Sequence, residues 1–376
     1  MWKFLPRLIS AEMKVLNLIW GFTLGAGIDK CYLAYAKISE VDKDIEMLNV
    51  CIRLQNIDSH IEPLEAIGTI FIPIKNRWDI SWLWKLKQLI RKEQPDVLFS
   101  HGFNGAIVLL AERILGVKND VVLTYHGLYN PPRRIKKTVA QIYNRLSFRV
   151  YKHIAKKVIC VSEDSRRQLL SRKVEPEKTV TIHNGIPAQS GSGMVALKGE
   201  TINIVSCSRI DRIKGLGFLL EALALLRREK VPFYYYMIGE GPELENLKEQ
   251  SRLLDLDDNI SFVGYRDNVA EWLNASDIFV IPSLQENHSI AILEAMRAGK
   301  AIIATNIGGN GESICHNKEG LLVKAGDAES LYSALKRLIN DEALRKRLAE
   351  AAKTRFETTF TEEAMLRKLS KVLREK

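Results

Sequence analysis

The sequence predicts an α/β protein made of two domains, each a parallel sheet covered by helices on both faces. Three observations carry this expectation. At 376 residues the chain exceeds the size at which a single core keeps growing. Short apolar runs alternate with longer amphipathic stretches, the pattern of β-α-β units whose strands are buried on both faces. The alternation stops once, over 186–200, where Gln189-Ser190-Gly191-Ser192-Gly193 has linker composition, and then begins again.

Taken in order, the apolar runs place strands at Lys14–Trp20, Met47–Ile52, Thr69–Pro73, Asp96–Ser100, Val121–Tyr125, Val158–Val161 and Val180–His183. Amphipathic stretches at Ser81–Lys92 and Thr138–Lys156 are the helices between them. After the break come strands at Ile202–Cys207, Phe233–Ile238, Ile260–Val263, Asp277–Ile281 and Ala301–Thr305, and a helix at Ile290–Ala298. The first domain is therefore expected over 13–190, a linker over 191–200 and the second domain over 201–360. Residues 361–376 read as a basic amphipathic helix. Residues 1–12 are too short and too interrupted for a secretory signal. They are either an N-terminal extension or lie ahead of a natural start at Met13.

Apolar content of 46% and charged content of 27% are those of a globular enzyme, and no run of 18 apolar residues suggests a membrane span. Cys31, Cys51, Cys160, Cys207 and Cys315 are scattered and odd in number, without metal-ligand spacing. They read as free thiols in a reducing cytoplasm. The net charge of +10 sits wholly in the first half: residues 1–190 hold 29 Lys and Arg against 18 Asp and Glu, and 121–162 hold nine basic residues and no acid. Such a field attracts anionic ligands or surfaces.

The most informative stretch is 283–312. Glu286 follows an apolar strand and Glu294 lies in a helix eight residues on, with the helix start between them. Eight residues of helical rise span about 12 Å, the reach of a nucleotide sugar from ribose to hexose. Free N–H groups and the dipole at a helix start favour phosphate. One carboxylate could hold sugar hydroxyls and the other ribose hydroxyls. Arg209 and Lys214, just after the strand Ile202–Cys207, could neutralise a diphosphate and stabilise it as it departs.

This stretch resembles the Glu-x7-Glu signature of retaining glycosyltransferases of the GT-B fold, family 4. The following Leu293-Glu294-Ala295-Met296-x-Ala298-Gly299 and Thr305-x-x-Gly308-Gly309 extend the likeness. Ser208-Arg209-x4-Lys214-Gly215 is similar to the family's Gly-Arg-x4-Lys-Gly, with Ser208 in place of the first glycine. The resemblance implies two Rossmann-like α/β domains whose parallel sheets face a central cleft. The second would bind a nucleotide-diphosphate sugar, expected to be a UDP sugar, and the first a glycan or lipid-linked acceptor, with 361–376 crossing back onto the first.

It further implies that Glu294 holds ribose, Glu286 sugar hydroxyls, and Arg209 and Lys214 the diphosphate. Gly25 and Gly27 would form a glycine loop toward the donor phosphates, and His126 would face the anomeric centre. Gly239, Tyr265 and Arg266 would flank the nucleotide. The chain departs from the family at Asn287-His288-Ser289-Ile290, where glycine usually follows the first Glu. These side chains stand where bare amides usually meet the sugar, and His288 could add a phosphate contact. Read from the residues alone, the glycine loop could be a plain turn and His126 a structural histidine. His101 and His183 close other strands, the first a candidate for the acceptor side.

No cofactor and no metal are expected, because Asp42-Lys43-Asp44 and Asp255-Leu256-Asp257 precede apolar runs and read as solvated turns. No nucleic-acid motif is visible. Trp82, Trp84, Lys85, Lys87, Arg91 and Lys92 in one helix, and aromatics interleaved with basic residues over 133–157, suit peripheral contact with an anionic membrane at its cytoplasmic face. Each also suits an ordinary covering helix. A nucleotide-sugar 2-epimerase and a non-catalytic partner subunit are the alternatives to a transferase in envelope polysaccharide or lipopolysaccharide synthesis.

Overall fold

The continuous apolar runs become parallel strands because each is buried on both faces and must pair with a neighbour to satisfy its backbone. The structure is a computed structural model describing residues 11–21, 27–55, 61–76, 79–102, 109, 113, 116–127, 137–189, 191–199 and 201–375. The chain divides into two compact units, Met1–His183 with Glu363–Lys376, and Asn184–Glu362.

Unit one carries strands β1 (Met13–Trp20), β2 (Ile45–Leu54), β3 (Ile70–Ile74), β4 (Val97–His101), β5 (Asp120–Tyr125), β6 (Lys157–Cys160) and β7 (Thr179–Thr181). They form one seven-stranded sheet in the order β3-β2-β1-β4-β5-β6-β7, with every described pairing parallel. The order reverses between β1 and β4. Helices α1 (Gly27–Tyr35), α2 (Ile38–Val41), α3 (Glu62–Ala66), α4 (Ser81–Glu93), α5 (Lys137–His153) and α6 (Glu163–Leu170) belong to this unit. In α4, Trp82, Leu86 and Ile90 recur every four residues, so they share one face and enter the core. Trp82 meets Trp20 edge-on at 5.0 Å.

Unit two carries β8 (Ile202–Cys207), β9 (Phe233–Ile238), β10 (Ile260–Gly264), β11 (Ile278–Ile281), β12 (Ala301–Thr305) and β13 (Leu321–Val323) in the order β10-β9-β8-β11-β12-β13, again parallel. The reversal lies between β8 and β11. Helices α7 (Leu216–Arg228), α8 (Leu244–Leu253), α9 (Val269–Ala275), α10 (Ile290–Arg297), α11 (Asn310–Ser313), α12 (Ala328–Asn340) and α13 (Glu342–Thr359) cover it. Leucines of α7 and α12 pack with β8, β9, β11 and β12 in one core cluster, and α10 with Ala352 and Phe356 of α13 in another. Three strand ranges in this unit match the apolar runs residue for residue. Strand β13 had no periodic signal, because its three residues are too few to show one.

The last helix, α14 (Glu362–Arg374), packs Met365, Leu366, Leu369, Val372 and Leu373 against Val15, Phe99, Val122 and Ile159 of the first sheet. Arg374 fastens it with a forked contact to Asp42, 2.6 and 2.8 Å, and a third bond to Asp44 at 2.9 Å. Asp42 is thus an anchor and not the solvated turn residue expected, and the guanidinium holds its carboxyl far below the usual carboxylate range. The five cysteines are all free. Burial pushes the Cys31, Cys51 and Cys160 thiols up to about 12, which leaves them unreactive. Among the described residues no helix is long and apolar enough to cross a membrane.

Asp42→Asn should lower the unfolding midpoint by a few degrees, because the clamp on α14 loses its charge. Differential scanning fluorimetry of the two proteins measures this; an unchanged midpoint would show that apolar packing alone holds the helix.

Candidate active site

Parallel strands place all their carboxyl ends on one edge, and in open α/β sheets ligands bind where the strand order reverses. In unit two that point lies between β8 and β11. The loop after β8 carries Arg209 and Lys214, and the loop after β11 carries Glu286, so the reversal brings together residues 72 apart in sequence. Lys214 Nζ lies 2.6 Å from Glu286 Oε1, and both side chains are mostly shielded from solvent. The Ser283 hydroxyl donates to the same oxygen at 2.8 Å. Ser283 is fully buried and was not singled out from sequence; its place at the head of the glutamate motif was the available signal.

Glycines hold these loops in contact. Gly215 has φ +64°, and a Cβ there would stand 2.2 Å from the Pro282 carbonyl at the end of β11. Leu284 N–H donates to Ile213 O at 2.7 Å across the same seam. Gly308 has φ +50°, and a Cβ there would lie 1.9 Å from Glu286 O, while Gly309 N–H donates to Asn287 O at 2.7 Å. The Gly-Gly after β12 therefore shapes the backbone that presents Glu286 and Asn287. Gly239, at φ +134°, approaches Ser208 O in the same way.

Helix α10 starts at Ile290, and Ser289 at its N-cap makes no side-chain cap, so it leaves the first-turn N–H groups to other partners. Glu294 is half-buried on this helix. The separation inferred from helical rise does not carry over, because only the second half of the Glu286–Glu294 interval is helical. Arg209 is exposed and forks onto Asp211, with its Nε 2.7 Å from Oδ2. Tyr265 and Arg266 are exposed after β10, where Tyr265 N–H reaches Glu240 Oε1 at 3.4 Å.

His288 differs from expectation. Its ring is 5% exposed, turned inward against Ser313 Oγ at 3.2 Å and Phe360 at 5.6 Å between ring centres. A phosphate contact through this side chain does not fit that packing. Its carbonyl instead accepts from Asn184 Nδ2 at 3.1 Å, so the loop is tied to the first residue of the unit.

In unit one, His126 follows β5 and bonds Thr124 Oγ1 through Nε2 at 3.1 Å. Burial lowers its pKa to about 4. His101 is 2% exposed among Tyr32, Tyr35 and Phe99, too enclosed to line a surface for an acceptor. Gly27 is the exposed first residue of α1, while Gly25 lies outside the described residues. Asp255 is ion-paired with Arg227 at 2.9 Å, and among the described residues no group of His, Cys, Asp and Glu could hold a metal ion.

Trp84 of α4 and Ile80 just before it are exposed, but Trp82 belongs to the core. On and after α5, Val150 and Tyr151 are likewise buried and Ile142 is exposed. The outward apolar surface of these two helices is therefore smaller than their composition suggested.

Two parallel-sheet α/β units in one chain are the architecture of GT-B glycosyltransferases, and comparison with known proteins agrees. The family described as Glycosyl transferases group 1 matches residues 194–355, and the one described as Glycosyltransferase Family 4 matches residues 58–190. The chain belongs to these glycosyltransferases. It is 27% identical over 299 residues to the UDP-Gal:alpha-D-GlcNAc-diphosphoundecaprenol alpha-1,3-galactosyltransferase of Escherichia coli, covering 74% of this chain and 77% of that one. It is 25% identical over 308 residues to the lipopolysaccharide core biosynthesis glycosyltransferase LpsD of Rhizobium meliloti, covering 80% and 82%. The solved structure of Anabaena Alr3699/HepE in complex with UDP-glucose superposes with a TM-score of 0.81 over 96% of this chain and 99% of that one; at 21% identity this likeness shows the fold.

Gly308→Ala should force the Glu286 carbonyl aside and cut kcat/KM for the donor by about a hundredfold, the penalty of a misplaced contact of roughly 1 Å. Steady-state transfer assays, with circular dichroism to confirm folding, measure it. Activity near wild type would mean that the loop tolerates a side chain there.

Proposed function

We propose that the protein is a retaining transferase moving a hexose or N-acetylhexosamine from a nucleotide-diphosphate sugar, with UDP as the nucleotide, to a glycan or lipid-linked acceptor of a cell-envelope polysaccharide or lipopolysaccharide. The observation that carries this reading is the Lys214–Glu286 pair at the strand reversal, beside the start of α10. A lysine ammonium has three donors and a carboxylate about four acceptor sites, so the pair exhausts neither. Lys214 can turn its remaining donors to a diphosphate while Glu286 takes sugar hydroxyls. Glu294, on the same helix, holds the ribose. The Escherichia coli relative, which uses UDP-Gal and a diphosphoundecaprenol acceptor, supports a UDP donor, and it and the lipopolysaccharide core transferase support an envelope acceptor.

In the reaction the bond from the anomeric carbon to the diphosphate oxygen breaks as the acceptor oxygen bonds from the same face. The acceptor's hydroxyl proton passes to the departing phosphate oxygen. Charge growing on that oxygen is met by Arg209, Lys214 and the helix start. His126 stabilises positive charge at the anomeric carbon. These groups supply the leaving-group stabilisation without a metal or cofactor. No nucleic acid takes part.

A thermal-shift panel of nucleotide sugars tests donor class. UDP sugars should raise the midpoint, by about 2.7 kcal/mol of linkage at a hundred times Kd, and other nucleotide sugars should not. Lys214→Ala and Glu294→Ala should each abolish the shift and reduce turnover by about a hundredfold or more while remaining folded. Wild-type turnover in both variants would defeat the assignment. Product anomeric configuration, read by proton NMR, decides retention.

We further propose that unit one touches anionic membrane through Trp84 of α4, Ile80 just before that helix, and the neighbouring lysines and arginines. Co-sedimentation should favour vesicles with anionic lipid over neutral ones, and Trp84→Ala should weaken it severalfold. Equal binding to both vesicle types, or none, would remove this contact.

A further inference from the structure

A polar thread crosses the otherwise apolar first sheet. Asn17 of β1 and Asn49 of β2 are register partners, and His101 of β4 is the partner of Thr124 of β5. Asn17, His101 and Thr124 are at most 2% exposed and Asn49 is 4% exposed. Buried amides in a sheet core are costly unless bonded, and these bond along one line. Asn49 Nδ2 donates to the Ile67 carbonyl at 3.0 Å, and Asn17 Nδ2 to Asn49 Oδ1 at 2.9 Å. His101 Nε2 lies 2.6 Å from Asn17 Oδ1, and its Nδ1 lies 3.1 Å from Thr124 Oγ1. That hydroxyl is 3.1 Å from His126 Nε2.

The direction of every link follows from its first member. A backbone carbonyl only accepts, so Asn49 turns its amide N–H₂ to Ile67 and its oxygen to Asn17. Asn17 must then donate to that oxygen and offer its own oxygen to His101, which requires a proton on His101 Nε2. Burial among aromatic rings keeps His101 neutral, its pKa well below the ordinary value, so Nδ1 has no proton and accepts from the Thr124 hydroxyl. With its one proton committed, Thr124 Oγ1 accepts from His126 Nε2–H. The bond to Thr124 thereby assigns His126, which burial keeps neutral, to the Nε2–H tautomer.

We propose that this relay, running from the Ile67 carbonyl through Asn49, Asn17, His101 and Thr124, fixes the tautomer of His126, making Asn17, His101 and Thr124 positioning residues for glycosyl transfer. The functional half of the inference rests on the reading of His126 given above. A histidine tautomer is set by the bond its other nitrogen makes. A ring nitrogen that carries no proton suits positive charge developing at the anomeric carbon, whereas an N–H there would oppose that charge.

Selective ¹⁵N labelling of the histidine rings in the full chain tests it, with His126 assigned by loss of its signals in His126→Gln. At pH 7 the wild type should show His126 as the neutral Nε2–H tautomer. Thr124→Val should convert this to a tautomer mixture and lower kcat by about tenfold or more, with donor KM within about twofold. Thr124→Ser should restore both. The Nδ1–H form or a cation in the wild type, or an unchanged spectrum in Thr124→Val, would overturn the relay. If Thr124→Val fails to fold, the wild-type spectrum alone decides the tautomer. Full activity in His126→Gln would instead remove the role of His126 in the reaction, while the spectra still judge the relay.

Discussion

Close approach of backbone to backbone at the carboxyl ends of the second sheet, possible only where a side chain is missing, is the constraint on which the candidate site depends. Gly215 against Pro282, Gly239 against Ser208 and Gly308 against Glu286 each leave less room than a methyl group needs. Through these three contacts the loops after β8, β9, β11 and β12 become one rigid rim. A single ion pair can then be held at 2.6 Å with its members on different strands. Without that rim, Lys214 and Glu286 would be two flexible side chains on separate loops, and the entropy of bringing them together would weaken the pair.

The two units use the same architecture to different electrostatic ends. In unit two, a charged pair sits at the rim formed by the loops after the strands. In unit one, neutral amides, a hydroxyl and imidazoles run through the interior, where an ion would be costly and a chain of oriented hydrogen bonds is not. The carbonyl of Ile67 gives that chain its direction. The basic excess of residues 1–190 lies apart from it, on surfaces such as α4.

Much of the fold was legible because buried parallel strands must be apolar throughout. Ile202–Cys207, Phe233–Ile238 and Ala301–Thr305 stand at the boundaries their residues suggest. Strand β13 was not legible, since the three residues Leu321–Val323 are too few to show a repeat. Glu286, Glu294, Arg209 and Lys214 could be named as candidates from spacing and from the family motif, and the structure pairs Lys214 with Glu286. The inward turn of His288 could not, because the same histidine in the same loop could face either way until Ser313 and Phe360 were in place. The lone asparagines at 17 and 49 were visible as polar breaks in apolar runs, but a sequence does not show which strands become neighbours.

The sequence by itself determined which segments are strands and helices, and which residues stand in the loops after the strands, because periodicity and local backbone chemistry act over a few residues. Only the tertiary structure decided that Lys214 meets Glu286, that Arg374 clamps Asp42, and that Asn49, Asn17, His101, Thr124 and His126 form one directed line. All of those contacts but Thr124 to His126 join residues far apart in the chain, and strand order, which no local signal encodes, brings most of them within bonding distance.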